Sequence, residues 1–132
     1  MRGKLAALGM LVALGGCGGE SLAAGDNPVR LEIEHSRFSR TRVRVQVGQT
    51  ITFIVRNGDP IAHELIIGDD KVQDRHERGK HARHATIPGE VSVPAGEERT
   101  TSYTFARRGS VPFACHLPGH FAYGMKGLII VE

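Results

Sequence analysis

Cysteine is scarce in this sequence: Cys17 and Cys115 are the only two in 132 residues. No disulfide framework can hold the chain, so its fold must rest on a hydrophobic core. Long apolar runs are missing as well. The most extended, Leu5 to Leu14, falls short of the roughly 20 residues a membrane-spanning helix needs. There are no glycine loops of the phosphate-cradling kind and no basic patches interleaved with aromatic residues, so nothing argues for nucleotide or nucleic-acid recognition. Net charge is small: 17 Lys and Arg stand against 14 Asp and Glu, and setting aside Arg2 and Lys4 of the N-terminal leader leaves 15 against 14. At this length the chain is one domain plus a leader, enough for a single two-layer core.

Arg2 and Lys4 precede the apolar run, and Gly15-Gly16-Cys17 closes it. A positive start, an apolar middle and a small-residue end form the pattern of a secretory signal peptide, so export is expected. Leu14-Gly15-Gly16-Cys17 also resembles a bacterial lipobox, in which the Cys becomes the lipidated first residue of the mature chain. Cys17 would then carry acyl chains that hold the protein at a membrane surface without a spanning helix. The alternative is an ordinary signal peptide cleaved near Leu22-Ala23-Ala24, with Cys17 discarded. Residues 1–17 are thus expected to be the leader, 18–28 a small, polar, flexible tether, and 29–132 the folded domain. Either processing route leaves Cys115 unpaired in an oxidising compartment, where a bound metal would protect it; a Cys17–Cys115 disulfide is the formal alternative.

Past the tether the sequence breaks into short runs. Val29 to Glu34 and Arg42 to Val47 alternate apolar with polar residues, the period of a half-buried strand. Thr50 to Arg56 is more fully apolar and ends at Asn57-Gly58-Asp59-Pro60, the strongest turn signal in the chain. Ile61 to Ile67, Glu90 to Val93, Thr100 to Phe105, Ser110 to Ala114 and Gly127 to Val131 read as further strands. Seven or eight short strands with turns between them and no internal repeat predict an all-β, Greek-key antiparallel β-sandwich. Such a sandwich gathers loops at its ends, so residues distant in sequence can meet at one pole.

One loop stands out. Cys115-His116-Leu117-Pro118-Gly119-His120-Phe121-Ala122-Tyr123-Gly124-Met125 offers a thiol, an imidazole and a thioether at intervals of five, with glycine and proline between them to turn the backbone. Singly, a Cys is usually a small buried hydrophobe and a Met core filler. Together in one glycine-punctuated loop, and joined by His63 from the earlier strand, they make a donor set suited to copper cycling between Cu(I) and Cu(II). Zinc is the nearest rival, but Met is a poor zinc ligand and structural zinc favours four Cys or His donors.

The Cys-x4-His-x4-Met loop with its embedded Pro-Gly-His, and the histidine after an early strand, resemble the cupredoxins, the small blue-copper proteins of the plastocyanin/azurin type. The resemblance runs from about Val29 to Glu132 and implies His63, Cys115 and His120 as trigonal ligands of one copper ion, with Met125 the long axial donor. It also implies that the edge of His120, ringed by Leu117, Phe121 and Tyr123, reaches the surface where partners dock. Glu64 departs from the Asn or Ser often found after the first ligand histidine. Phe113, Leu117, Pro118, Phe121 and Tyr123 are expected to form an apolar collar that excludes water from the metal.

The segment from Gly68 to Pro88 is densely charged and carries three histidines. It reads as a solvated insertion loop with room for a short helix; the sharper alternative is a second, weaker metal site from His76, His81 and His84, with Glu77 or Asp74 as a further donor. Arg37, Arg40, Arg42 and Arg44 are either the wet side of a sheet or a patch that steers an acidic partner. The function expected is an exported, lipid-anchored, monomeric blue-copper protein, not an enzyme, that carries single electrons between redox partner proteins at or near the membrane. The alternative is copper homeostasis, in which the same site, with or without the histidine-bearing loop, exchanges copper with copper-handling proteins. Neither role involves nucleic acid or a small-molecule substrate.

Overall fold

The structure, a computed structural model, describes residues 27–79 and 87–132. The leader, most of the tether, Cys17, His81 and His84 lie outside the described residues. Among the described residues nine strands and two helices follow in order: β1 (Val29–Glu34), β2 (Arg37–Phe38), β3 (Arg42–Val45), β4 (Thr50–Asn57), β5 (His63–Ile67), α1 (Asp70–Arg78), β6 (Glu90–Val93), β7 (Glu98–Thr104), β8 (Gly109–Ala114), α2 (His120–Tyr123) and β9 (Lys126–Val131). Among the described residues no helix is long and apolar enough to cross a membrane.

Two sheets face each other, with strand orders β2-β1-β4-β7 and β3-β9-β8-β5-β6. Alternation sets the inward faces: Val29, Leu31 and Ile33 of β1, Val43 and Val45 of β3, and Ile51, Phe53 and Val55 of β4 are all buried. Edge-to-face ring pairs, Phe38 with Phe113 at 5.3 Å and Phe53 with Phe105 at 6.3 Å, fill the space between the sheets.

The all-β sandwich is as expected, but its sheets are mixed. β1 runs parallel to β4, and β3 parallel to β9. The cause is the path of the chain: it leaves the first sheet after β2, enters the second as β3 and returns as β4 beside β1. A crossover of this kind allows parallel pairing, which a hairpin does not.

β5 breaks the alternation. All five of its residues are buried, including Glu64 and Ile66, which the period would turn outward. The cover is α1, which packs on β5 and β8. The charged segment is therefore not a solvated excursion along its whole length. Asp69 caps the helix by accepting the Val72 N–H at 3.0 Å, and Gly79 ends it. Along α1 only Gln73 is fully buried; it seats the helix by donating from Nε2 to the carbonyls of Ile66, Gly68 and Pro112, each at 3.2 Å.

Candidate metal centre

His63 opens β5 after the turn that leaves β4. Asn57 organises this turn: its Nδ2 donates to the carbonyls of Ile61 (2.8 Å), Val93 (3.1 Å) and Pro94 (3.1 Å), and its Oδ1 accepts the Asp59 N–H. Asp59, four residues before His63, places Oδ2 2.8 Å from His63 Nε2. A second turn holds that carboxylate. His35 and Ser36 both adopt positive φ (53° and 54°), and their consecutive N–H groups donate to Asp59 at 2.7 and 2.8 Å. Burial alone would raise the pKa of Asp59, but the N–H groups of Ser36 and His35, together with His63, outweigh it and hold the carboxyl below its usual value. With Nε2 turned to the carboxylate, Nδ1 is the nitrogen left to face inward.

The second group of donors comes from the loop between β8 and β9. His120 N–H donates to Leu117 at 2.9 Å and Met125 N–H to His120 at 3.0 Å, while Cys115 N–H donates to Met125 at 3.0 Å. The loop is thereby folded back so that Met125 returns beside Cys115. Gly119 (φ 84°) and Gly124 (φ 106°) bracket the one-turn helix α2 in left-handed conformations that a side chain would resist.

These two regions bring three donor atoms together. His63 Nδ1 lies 3.2 Å from His120 Nδ1, and Cys115 Sγ lies 3.3 Å from the same atom. The ligand atoms of His63, Cys115 and His120 all fall within 4.8 Å of one another, and this is the only such cluster of three His, Cys, Asp or Glu among the described residues. Cys115 and His63 are buried and His120 is half-buried. The Met125 side chain is fully buried in the core cluster that also includes Cys115.

Electrostatics suit a cation. Burial pushes the Cys115 thiol up to about 11, against partial relief from the backbone N–H groups of Leu117 and Glu64, and the nearby Glu64 charge adds to the rise. Without a cation the sulfur keeps its proton. His120 is shifted the other way: burial and the neighbouring His63 hold its pKa below the usual value, against the charges of Glu64 and Asp59. A neutral imidazole with a free lone pair is the form that ligates a metal. The donors therefore fit a copper ion: one soft sulfur that a cation would deprotonate, and two imidazole nitrogens already in place.

Other expected site residues are placed differently. Phe113 belongs to the core, Pro118 and Tyr123 are exposed, and only Leu117 and Phe121 are half-buried, so the apolar collar is partial. His76 places Nδ1 2.9 Å from the Val72 carbonyl and Nε2 3.2 Å from Glu90. Arg37 stacks over Tyr123 at 4.7 Å, and Arg44 pairs with Glu132 at 3.0 Å. Sequence reasoning takes Asn57 and Asp59 only as a turn and Glu77 only as a donor of the second metal site, and it gives Gln73 no role. Only Asp59 left a usable signal, a carboxylate four residues ahead of a candidate ligand.

Copper binding proteins of the plastocyanin/azurin family match residues 28–132 as a family. The copper-resistant cuproprotein CopI of Rubrivivax gelatinosus is 36% identical over 100 residues, covering 73% of this chain and 60% of that protein. The protein of the same name from Pseudomonas aeruginosa is 23% identical over 128 residues, covering 72% of this chain and 70% of the relative. Among solved structures, reduced auracyanin from Roseiflexus castenholzii superposes with a TM-score of 0.69 at 22% identity, over 83% of this chain and 99% of that one. The fold, the donor cluster and the extent of the family match agree: the chain belongs to the plastocyanin/azurin family of copper binding proteins.

Proposed function

We propose that the protein binds one copper ion through His63, Cys115 and His120, with Met125 as the weak axial donor, and serves copper tolerance outside the cytoplasm. The carrying observation is the convergence of a buried thiol and two imidazoles, from two distant parts of the chain, within 4.8 Å. A thiolate with two imidazoles serves both Cu(I) and Cu(II). Support for the tolerance role comes from the relatives named as copper-resistant cuproproteins, although the chain spans only 60% of the Rubrivivax protein. The leader ending at Cys17 supports export and a lipid anchor. In this reading the protein acts as a binder and not as an enzyme, and its partners are copper-handling proteins.

Single-electron transfer between redox proteins is the second reading. It is favoured by the half-buried His120, with half-buried Leu117 and Phe121 beside it in the loop. Gene deletion separates the two roles. Copper sensitivity with normal respiration supports tolerance, and the reverse supports electron transfer. Mass spectrometry of the mature N-terminus tests the anchor: an acylated Cys17 supports it, and a chain starting near Gly25 removes it.

A further inference from the structure

α1 covers the outer face of the second sheet where the metal loop leaves it, and its grip falls on one residue. His116, next to Cys115, is 3% exposed. Its N–H donates to buried Glu64 at 2.9 Å, its Nε2 lies 2.7 Å from Gln73 Oε1, and its Nδ1 lies 2.7 Å from Glu77 Oε2. The Gln73 amide cannot be reversed without cost, because Nε2 is committed to three carbonyls of β5, β8 and the residue between β5 and α1. That commitment aims Oε1 at His116. The His116 ring in turn stacks on Phe121, at 5.1 Å and 17°, and Phe121 adjoins His120. His76 and Arg75 fasten the same helix to Glu90 of β6 at 3.2 and 3.5 Å.

A helix that served only to cover the sheet would place an apolar residue at its single fully buried position. A polar side chain there costs stability unless every atom is paired, and what pairing adds is direction. We propose that Gln73 and Glu77 are positioning residues for the copper site. Through His116 they fix the backbone that carries Cys115, and through the His116–Phe121 stack they fix the turn that carries His120. The inference rests on the copper assignment above and deepens it: the charged insertion is part of the metal-site framework.

The test compares wild type, Glu77→Ala, Glu77→Gln and the double variant Gln73→Leu/His116→Phe. The double variant removes both partners of the buried Gln73–His116 contact and keeps an aromatic ring on Phe121; it also takes the donor from the Ile66, Gly68 and Pro112 carbonyls, a loss that apo-protein melting reads separately. Four quantities are read: apo-protein melting, Cu(II) affinity, the ratio of the visible charge-transfer bands, and the copper hyperfine splitting in the paramagnetic spectrum. The double variant is expected to bind Cu(II) about tenfold more weakly and to shift both spectral quantities, the range typical when groups that orient metal ligands are lost. Glu77→Ala should move them the same way by less, and Glu77→Gln, which keeps an acceptor oxygen, should restore them. Glu77 is 48% exposed, so that pair folds even where the double variant does not and carries the test alone. A wild-type protein with the charge-transfer bands, and variants whose affinity and spectra do not move, would overturn the proposal and leave the copper site standing. A wild-type protein that never develops the bands removes both.

Discussion

The two sources of donors are held in opposite ways. His63 is oriented from its own turn, where Asn57 and Asp59, both within six residues, set its backbone and its ring, and the His35 and Ser36 N–H groups in turn hold the Asp59 carboxylate. Cys115, His120 and Met125 sit on a loop that closes on itself through its own backbone hydrogen bonds and is then buttressed by α1, about 40 residues earlier. The contrast teaches how a copper site is divided between strand and loop. A strand supplies position, so only the ring of its ligand needs orienting, whereas a loop supplies three donors and must be oriented as a body.

The largest effect should come from the loop's sulfur. Cys115→Ser is expected to abolish the intense visible charge-transfer absorption of the Cu(II)-loaded protein, because the thiolate is its source, while the apo fold survives an isosteric change. Absorption during copper titration reads this directly. An unchanged spectrum would place copper elsewhere and end the comparison.

Next is the hold on His63. Asp59→Asn keeps Oδ1 for the His35 N–H but puts an amide nitrogen where Oδ2 accepted the Ser36 N–H and faced His63 Nε2, so Cu(II) affinity should fall about tenfold. Asp59→Ala also orphans the two N–H groups and should cost a further ~1–3 kcal/mol of apo stability in urea melts. The pH dependence follows from the lowered pKa of Asp59. A carboxyl held below its unfolded value contributes stability that is present above the unfolded pKa and lost as pH falls through the folded one. Wild type should therefore lose stability below the ordinary carboxylate range, and Asp59→Asn should lose less there.

The raised thiol gives a third prediction. With its pKa pushed up to about 11, Cys115 binds copper only by giving up a proton. Apparent Cu(II) affinity should therefore rise about tenfold per pH unit on account of this group between neutrality and pH 10. Titration calorimetry in buffers of differing ionisation enthalpy should count one proton released per copper. In the apo protein the sign is the reverse of that for Asp59: a thiol whose folded pKa lies above its unfolded value loses stability as pH climbs from about 9 towards 11.

The same division explains what could be read from the sequence. Eight strands were legible as short alternating or apolar runs bounded by turn signals, and the metal loop was legible because its three donors are close in sequence. His63 is paired with the loop by its donor chemistry and the cupredoxin resemblance, and a sandwich that gathers loops at one end makes that meeting possible. β2 was missed because two residues carry no period, and the parallel pairing of β1 with β4 because alternation carries no direction. α1 is capped by Asp69 and ended by Gly79, but its binding face is polar, so the charged segment reads as a solvated loop. A glutamine aimed at a histidine 43 residues later looks like surface until the fold puts them 2.7 Å apart. Asp59 was hidden differently: a carboxylate four residues ahead of a candidate ligand is a signal, but the Asn57-Gly58-Asp59-Pro60 turn already accounted for it.

The smallest predicted effect lies on the outer side of the loop. Lys126 Nζ sits 4.4 Å from the centre of the Phe121 ring, whose neighbour His116 is stacked at 5.1 Å. Phe121 is thus clamped between a surface cation and the buried buttress. A contact of this kind at an exposed lysine contributes about 0.5–1 kcal/mol, so Lys126→Ala should lower apo stability by no more than that. If α1 is the main hold on the loop, Lys126→Met, which keeps the stem and loses the charge, should leave the Cu(II) hyperfine splitting unmoved while the Glu77→Ala variant shifts it. Equal shifts from both would mean that the loop is held as firmly from its solvent side as from α1, and the contrast between the two donor regions would reduce to sequence distance alone.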